Sequence, residues 1–256
     1  MNAYARQQVL LRLLYSSNGM SIADLAQALS VSSVTVRRDL AKLKQDGLIN
    51  RDHGLVMAEN RFVAPVLKRT QENELAKNAI ALSAMQLIEY GSVVMIDSGS
   101  TAGALAKIIK NSNLHLTVIT PSLYAAYEIS NANGNNTVMM PSGTIQSDQM
   151  VLIGPDCAEY LNNSQAKISF VSTSGFRMDS GFTVITPLQI GLKRAMITSA
   201  EIRVMLADHT KFTKAGVRPF ATVKDFDYLI TDQEITDPKL LDQIAESGCR
   251  IIYAMS

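Results

Sequence analysis

The stretch Val93-Val94-Met95-Ile96-Asp97-Ser98-Gly99-Ser100-Thr101, running into Ala102-Gly103-Ala104-Leu105-Ala106, decides how the rest of the chain is read. Its four apolar residues predict a buried strand, and the alanine-rich run after Thr101 predicts a helix. The turn between them is built of glycine and hydroxyl residues. Such a turn aims free backbone N–H groups, backed by the helix dipole, at whatever sits above the strand's C-terminal end. That is a place for phosphate or another anion. Asp97 adds a carboxylate, which repels an anion but accepts hydrogen bonds from hydroxyls. A phosphorylated polyol suits both ends of the turn.

Downstream, strand-like runs alternate with helical ones: Leu116–Ile119, Val138–Met140, Ile168–Val171, Val204–Leu206, Tyr228–Ile230 and Ile251–Tyr253. This alternation predicts an α/β body with a mostly parallel sheet covered on both faces. In such a sheet the ligand belongs outside the C-terminal ends of the strands. Further polar strand ends are Thr120-Pro121-Ser122, Pro141-Ser142-Gly143, Ser172-Thr173-Ser174-Gly175 and Asp208-His209-Thr210-Lys211. The candidate effector contacts are therefore Asp97, Ser98, Gly99, Ser100, Thr101, Thr120, Gly143, Ser174, Gly175, Lys193 and Lys211. Lys211 is the expected counter-charge for phosphate, with Lys193 and Arg194 as further candidates. Each of these loops is equally readable as a plain connection, and Lys193-Arg194 as the solvated side of a Pro187–Ser199 helix.

Upstream, residues 58–73 carry Pro65 and mixed charges without a clear period, and read as a linker. Leu75 to Ile88 reads as the helix that opens a 74–256 body. Residues 1–57 are different in kind. Tyr4 to Ser16 predicts a helix, and Ser21-Ile22-Ala23-Asp24 has the form of a capping box before a second helix with Ile22, Leu25 and Leu29 on one face. Ser32 then N-caps a third helix ending near Asp46-Gly47. At 100° per residue, Val36, Leu40 and Leu43 form its buried stripe, while Val34, Arg37, Arg38, Ala41 and Gln45 face away. Short helices joined by a tight turn describe a helix-turn-helix, with the third helix placed to enter a major groove. Val34 would touch a thymine methyl; Arg37 and Arg38 would read guanine or bind phosphate. Residues 48–57 read as strand, turn, strand, a wing whose tip carries Arg51 and His53.

Charge supports the division. Residues 1–57 hold seven Lys/Arg against four acids, a net +3, and the remainder holds 17 basic and 19 acidic residues. The 256-residue chain is 47% hydrophobic and 18% charged, the composition of an ordinary soluble globular protein. No apolar run reaches the roughly 20 residues that cross a bilayer, and the N-terminus lacks a signal-peptide pattern. Cys157 and Cys249 stand alone, without metal-ligand or redox spacing. These features predict a cytoplasmic protein, nucleoid-associated when bound to DNA, with no membrane partner, metal or cofactor.

Ser33-Val34-Thr35-Val36-Arg37-Arg38-Asp39-Leu40, followed by a wing with His53-Gly54, resembles the recognition helix of the DeoR family of bacterial transcription regulators. Leu55 stands where that family usually has a second glycine. The resemblance implies DNA contacts from Ser32, Ser33, Thr35, Arg37 and Arg38. It extends over the body, at Asp97–Thr101, Gly181-Phe182-Thr183, Lys193–Met196 and Ala207–Phe212, and there implies a sugar-phosphate sensor with a fold similar to ribose-5-phosphate isomerase. The chain departs from the family at Thr120-Pro121, Ser142-Gly143, Ser172–Gly175 and Gln189.

Three functions compete. The first is a regulator, by resemblance a repressor of a carbohydrate-catabolism operon, that binds double-stranded operator DNA under control of a phosphorylated sugar or polyol. The second is a sugar-phosphate isomerase-like enzyme with an accessory DNA-binding head. The third is a DNA-bound scaffold. Isomerisation needs a carboxylate base and an acid over the sugar carbons. The loop that resembles the isomerase's acidic loop has Ser174 and Arg177 instead, so no enzyme is expected. Useful operator specificity predicts a self-associated dimer or tetramer.

Overall fold

The computed structural model describes residues 6–7, 9–10, 13–14, 19–45, 49–52, 55–58, 65–131 and 135–254. The chain divides into two compact units, Met1–Val63 and Ala64–Ser256.

In the first unit, Arg6, Gln7, Val9, Leu10, Leu13 and Leu14 are helical, and Leu10 and Leu14 are buried. The Ile22–Leu29 helix starts at the expected capping box: the Asp24 amide donates to Ser21 Oγ at 3.1 Å, and the Ser21 amide to Asp24 Oδ2 at 3.3 Å. Ser30, at φ 52°, ends it in the left-handed region and turns the chain toward the Ser33–Gln45 helix. Strands β1 (Ile49–Asp52) and β2 (Leu55–Ala58) pair antiparallel, Asp52 opposite Leu55, and Met20 bridges to Val56 on the other side. The hairpin tip, including His53, lies outside the described residues.

The second unit is built on a seven-stranded, wholly parallel sheet. In chain order its strands are β3 (Val93–Ile96), β4 (Thr117–Ile119), β5 (Thr137–Met139), β8 (Ala166–Ser172), β11 (Ala200–Leu206), β13 (Tyr228–Thr231) and β14 (Arg250–Tyr253). Their order across the sheet is β14-β13-β11-β8-β3-β4-β5. Every one of the seven runs expected as a strand lies in it. Successive residues serve opposite faces, as the two-residue period of a strand requires. Val94 and Ile96 join Ile168, Phe170, Val204 and Leu206 under the helices Glu74–Met85, Ser100–Ile109 and Leu123–Ser130. Met95 joins Val171, Met205 and Leu229 on the opposite face, under the helices Pro155–Asn162, Ile190–Thr198 and Pro238–Ser247. A fully buried side chain such as Phe170 contributes about 1.5–3 kcal/mol by leaving water.

Two additions were not expected. β6 (Thr144–Gln146) and β7 (Val151–Ile153) form a hairpin, and β9 (Gly175–Arg177), β10 (Gly181–Val184) and β12 (Arg218–Ala221) form a small antiparallel sheet. The linker reading of 58–73 also needs correction. Val66–Gln71 is a helix entered from Pro65, and Glu72 and Asn73 turn directly into the Glu74–Met85 helix. Six residues are too few to show a period, which is why the sequence hides it.

Candidate functional site

The head presents one face of the Ser33–Gln45 helix. Val36, Leu40 and Leu43 are buried beneath it, while Ser32, Ser33, Arg37 and Arg38 are exposed and Val34 is 76% exposed. Ser32 Oγ accepts from the Thr35 amide at 3.2 Å and lies 3.0 Å from Thr35 Oγ1, so both hydroxyls stand at the helix start. The helix is anchored from within by Asp39, 3% exposed, whose carboxylate takes Arg6 Nε at 2.5 Å and Arg6 Nη2 at 3.2 Å. Among the described residues, Arg37 and Arg38 meet no carboxylate. Two guanidiniums and a bare valine on one rigid face are suited to a phosphate-lined groove. Arg51 lies on β1, opposite Val56.

In the body, the strand order reverses beside β3. From β3 the chain runs to β4 and β5 on one side, and from its neighbour β8 to β11, β13 and β14 on the other. A crevice opens where an α/β sheet divides in this way. Asp97 follows β3 and Ser172 ends β8, so both stand at that division. Asp97, 2% exposed, gathers three bonds on Oδ2: from the Ser172 amide at 3.0 Å, from Ser172 Oγ, and from Lys193 Nζ at 2.5 Å. Lys193 also donates to Ser172 O at 2.8 Å. Burial pushes the Asp97 carboxyl up, but the Lys193 charge and the bonds from Lys193 and Ser172 outweigh it and hold it below its ordinary value. The alternative reading of Lys193 as part of a solvated helix face is thereby corrected. Lys193 is neither solvated nor unengaged, but half of a buried ion pair.

The turn itself is poised. Ser98, Ser100 and Thr101 are buried, and among the described residues no acceptor meets the N–H groups of Ser98, Gly99 and Ser100. Unmet N–H groups at a helix N-terminus attract an anion. Gly99 is required by close approach: a Cβ there would stand 1.8 Å from Ser172 Oγ.

Two cations absent from the expected set stand by the same strand ends. Arg69 donates to Gln149 Oε1 at 2.6 Å; burial pushes its guanidinium down, opposed by the charge of Asp97. Lys77, 3% exposed, donates from Nζ to Arg69 O at 2.5 Å and to Glu72 O. Burial pushes its ammonium down to about 8, opposed by the charge of Asp208. Asp208 follows β11 and is fully buried. Its Oδ1 accepts from the Thr210 amide at 3.1 Å, while Oδ2 has only Lys211 Nζ, 3.4 Å away. Burial pushes Asp208 up, yet Lys211, Thr210 and Lys77 bring it below its ordinary value.

The remaining expected contacts have other partners. Thr120 Oγ1 donates to Ile96 O at 2.6 Å, tying β4 to β3. Ser174 Oγ accepts from the Ile185 amide at 3.3 Å. Gly175 packs against Lys214 O, and Gly143 against Ile153 O beside Cys157. Cys157 and Cys249 are buried thiols pushed up to about 12 and about 11. Among the described residues no cluster of His, Cys, Asp and Glu could hold a metal, and no helix is long and apolar enough to cross a membrane.

Comparison with known proteins matches both units. Residues 72–233 match the family described as the DeoR C-terminal sensor domain, and residues 6–61 the DeoR-like helix-turn-helix domain. The HTH-type transcriptional regulator GolR of Listeria innocua is 33% identical over 91% of each chain. The glycerol-3-phosphate regulon repressor of Haemophilus influenzae is 30% identical over 88% of each. Among solved structures, ribose 5-phosphate isomerase A of Methanocaldococcus jannaschii is 18% identical over 55% of each chain, with a TM-score of 0.40.

Proposed function

Because this chain belongs to the DeoR family of DNA-binding transcriptional regulators, we propose that its operator affinity is set by a phosphorylated sugar or polyol held at Asp97–Thr101. The observation that carries this reading is the cradle: unmet N–H groups at Ser98, Gly99 and Ser100, where the sheet divides, with Arg69, Lys77 and Lys211 nearby. The N–H groups and cations take the phosphate, and the carboxylates of Asp97 and Asp208 take hydroxyls. All three bonds on Asp97 go to Oδ2, which leaves Oδ1 for the ligand. The glycerol-3-phosphate in one relative's name is of this chemical class.

In this reading residues 1–57 bind DNA, through Ser32, Ser33, Val34, Thr35, Arg37, Arg38, Arg51 and His53. Residues 74–256 sense the effector and join copies of the chain, at least in pairs, so that two heads meet two half-sites. The protein represses a carbohydrate-catabolism operon, working on nucleoid DNA in the cytoplasm. In this reading the site binds and does not turn over: Asp97 is paired with Lys193 and Ser172, and its carboxylate serves as a hydrogen-bond acceptor.

The test is a mobility-shift titration on promoter fragments from the gene's own neighbourhood, with and without glycerol 3-phosphate and hexose phosphates. An effector coupled by about 1–3 kcal/mol changes operator affinity roughly 5- to 150-fold. Ser100→Asp puts a carboxylate in the anion turn and should abolish that response. A Ser100→Asp protein responding at the unaltered effector concentration would place the pocket elsewhere.

A further inference from the structure

The first helix of the body, Val66–Gln71, follows the last strand of the wing by only a few residues and packs against the Ser100–Ile109 helix that opens at the anion turn. Its C-terminal end is closed by the side chain of Lys77. That ammonium spans Arg69 O and Glu72 O. An ammonium has three donors, and among the described residues the third meets no acceptor, although Lys77 is only 3% exposed. The charges surrounding it are those of Asp208, Lys211, Glu72 and Arg69. The guanidinium of Arg69, whose carbonyl Lys77 holds, extends toward Gln149 and the field of Asp97. One buried cation thus holds the C-terminal end of the first helix of the body and has a donor to spare among the groups that ring the cradle.

We propose that Lys77 is the coupling residue: its third N–H bonds the bound anion while the other two keep hold of Arg69 O and Glu72 O, so that filling the cradle fastens the Val66–Gln71 helix. The inference rests on the anion site proposed above. An anion beside Lys77 keeps the ammonium charged, and a charged donor makes shorter, stronger bonds to carbonyls than a neutral amine does. The ligand therefore firms the last turn of this helix, the first element of the body. An empty cradle leaves the third donor of this buried ammonium unmet.

Hydrogen exchange on the full-length protein, with inorganic phosphate as the probe, tests this. Binding is followed independently by phosphorus-31 line broadening. Phosphate should slow exchange of the amides in 66–73 by about fivefold or more in the wild type. Lys77→Met should weaken phosphate binding, and at phosphate concentrations that restore full broadening the amides of 66–73 should exchange as fast as without phosphate; Lys77→Arg, which keeps the charge, should restore part of the protection. Should Lys77→Met fail to fold, Gln149→Leu, which removes the acceptor of Arg69, must retain the phosphate protection because Lys77 is intact. Broadening without any slowing at 66–73 overturns the coupling and leaves the anion site standing. If phosphate neither broadens nor protects, both ideas fall together.

Discussion

The recognition helix and the cradle both gather positive charge, yet water treats the two differently. Arg37 and Arg38 stand exposed on the head, whereas Lys77 and Lys193 are each 3% exposed in the body. An exposed guanidinium keeps its hydration until a phosphate arrives, so it contributes through released counterions and loses strength in salt. A buried ammonium has surrendered its hydration on folding and must be compensated there and then, by Asp97 for Lys193 and by two carbonyls for Lys77. The exposed face of the recognition helix can therefore lose a charge and stay folded. A buried cation of the body cannot be removed without a loss of stability, because its partner is then left buried and unpaired.

The largest effect should come from breaking the buried pair. Lys193→Met strands the Asp97 carboxylate at a site with 2% exposure, and should remove about 3–5 kcal/mol of body stability. Urea denaturation of the full chain measures it. Adding Asp97→Asn should return most of the loss, because no charge is then left unpaired. A loss below about 1 kcal/mol would show that water reaches the pair and that the contrast with the head is overdrawn.

Next in size is Gly99→Ala. Its Cβ would meet Ser172 Oγ at 1.8 Å and Ser172 Cβ at 2.7 Å, so β3 and β8 must part at the cradle. Overpacking of this kind takes roughly 1–3 kcal/mol, and the effector response should go with it. Ser172→Gly in the Gly99→Ala background removes both obstructing atoms and should restore stability. Failure to restore it would mean that the backbone, not Ser172, enforces glycine there.

On the head, Arg37→Ala and Arg38→Ala should leave thermal stability and effector binding nearly unchanged and weaken operator binding. An arginine that reads guanine should cost about 1–3 kcal/mol and relax specificity at one base pair. One that binds phosphate should weaken all sequences alike and lower the salt slope by about one. Unchanged affinity in a mobility-shift titration for either variant removes that residue from the interface.

How much of this could be read from the sequence follows the same division. The central sheet strands were legible because both faces are buried, which leaves continuous apolar runs such as Val93–Ile96. The β9, β10 and β12 strands are three or four residues long and pair antiparallel, too short for alternation to show. The exposed arginines could be read by helical angle alone. Lys193 could not: its charge is visible, but its partner lies 96 residues away, and only the sheet brings them together. Arg69 and Lys77 were missed for a related reason. Local composition made the segment of Arg69 a linker and left Lys77 as one residue of the Leu75–Ile88 helix, whereas their surroundings include Asp97 and Asp208 at distant strand ends.

The smallest effect is a pH dependence, and it belongs to the body. Burial lowers the Lys77 ammonium from 10.5 to about 8, with Asp208 and Glu72 opposing and Lys211 and Arg69 reinforcing the shift. Above pH 8 the unfolded chain therefore holds more protons than the folded one, so stability rises as pH climbs. Cys157 and Cys249 act oppositely, because burial raises both thiols from 9.0 and their contribution is lost as pH rises past that value. The Lys77 rise is thus confined to the interval from about 8 to 9. Thermal melts of the body across that interval at low salt should show melting temperature increasing in the wild type and flat in Lys77→Met. Saturating phosphate should flatten the wild-type curve too, since an anion beside Lys77 returns its ammonium toward the unfolded value. Parallel curves for the two proteins would mean that Lys77 is solvated like the arginines of the head.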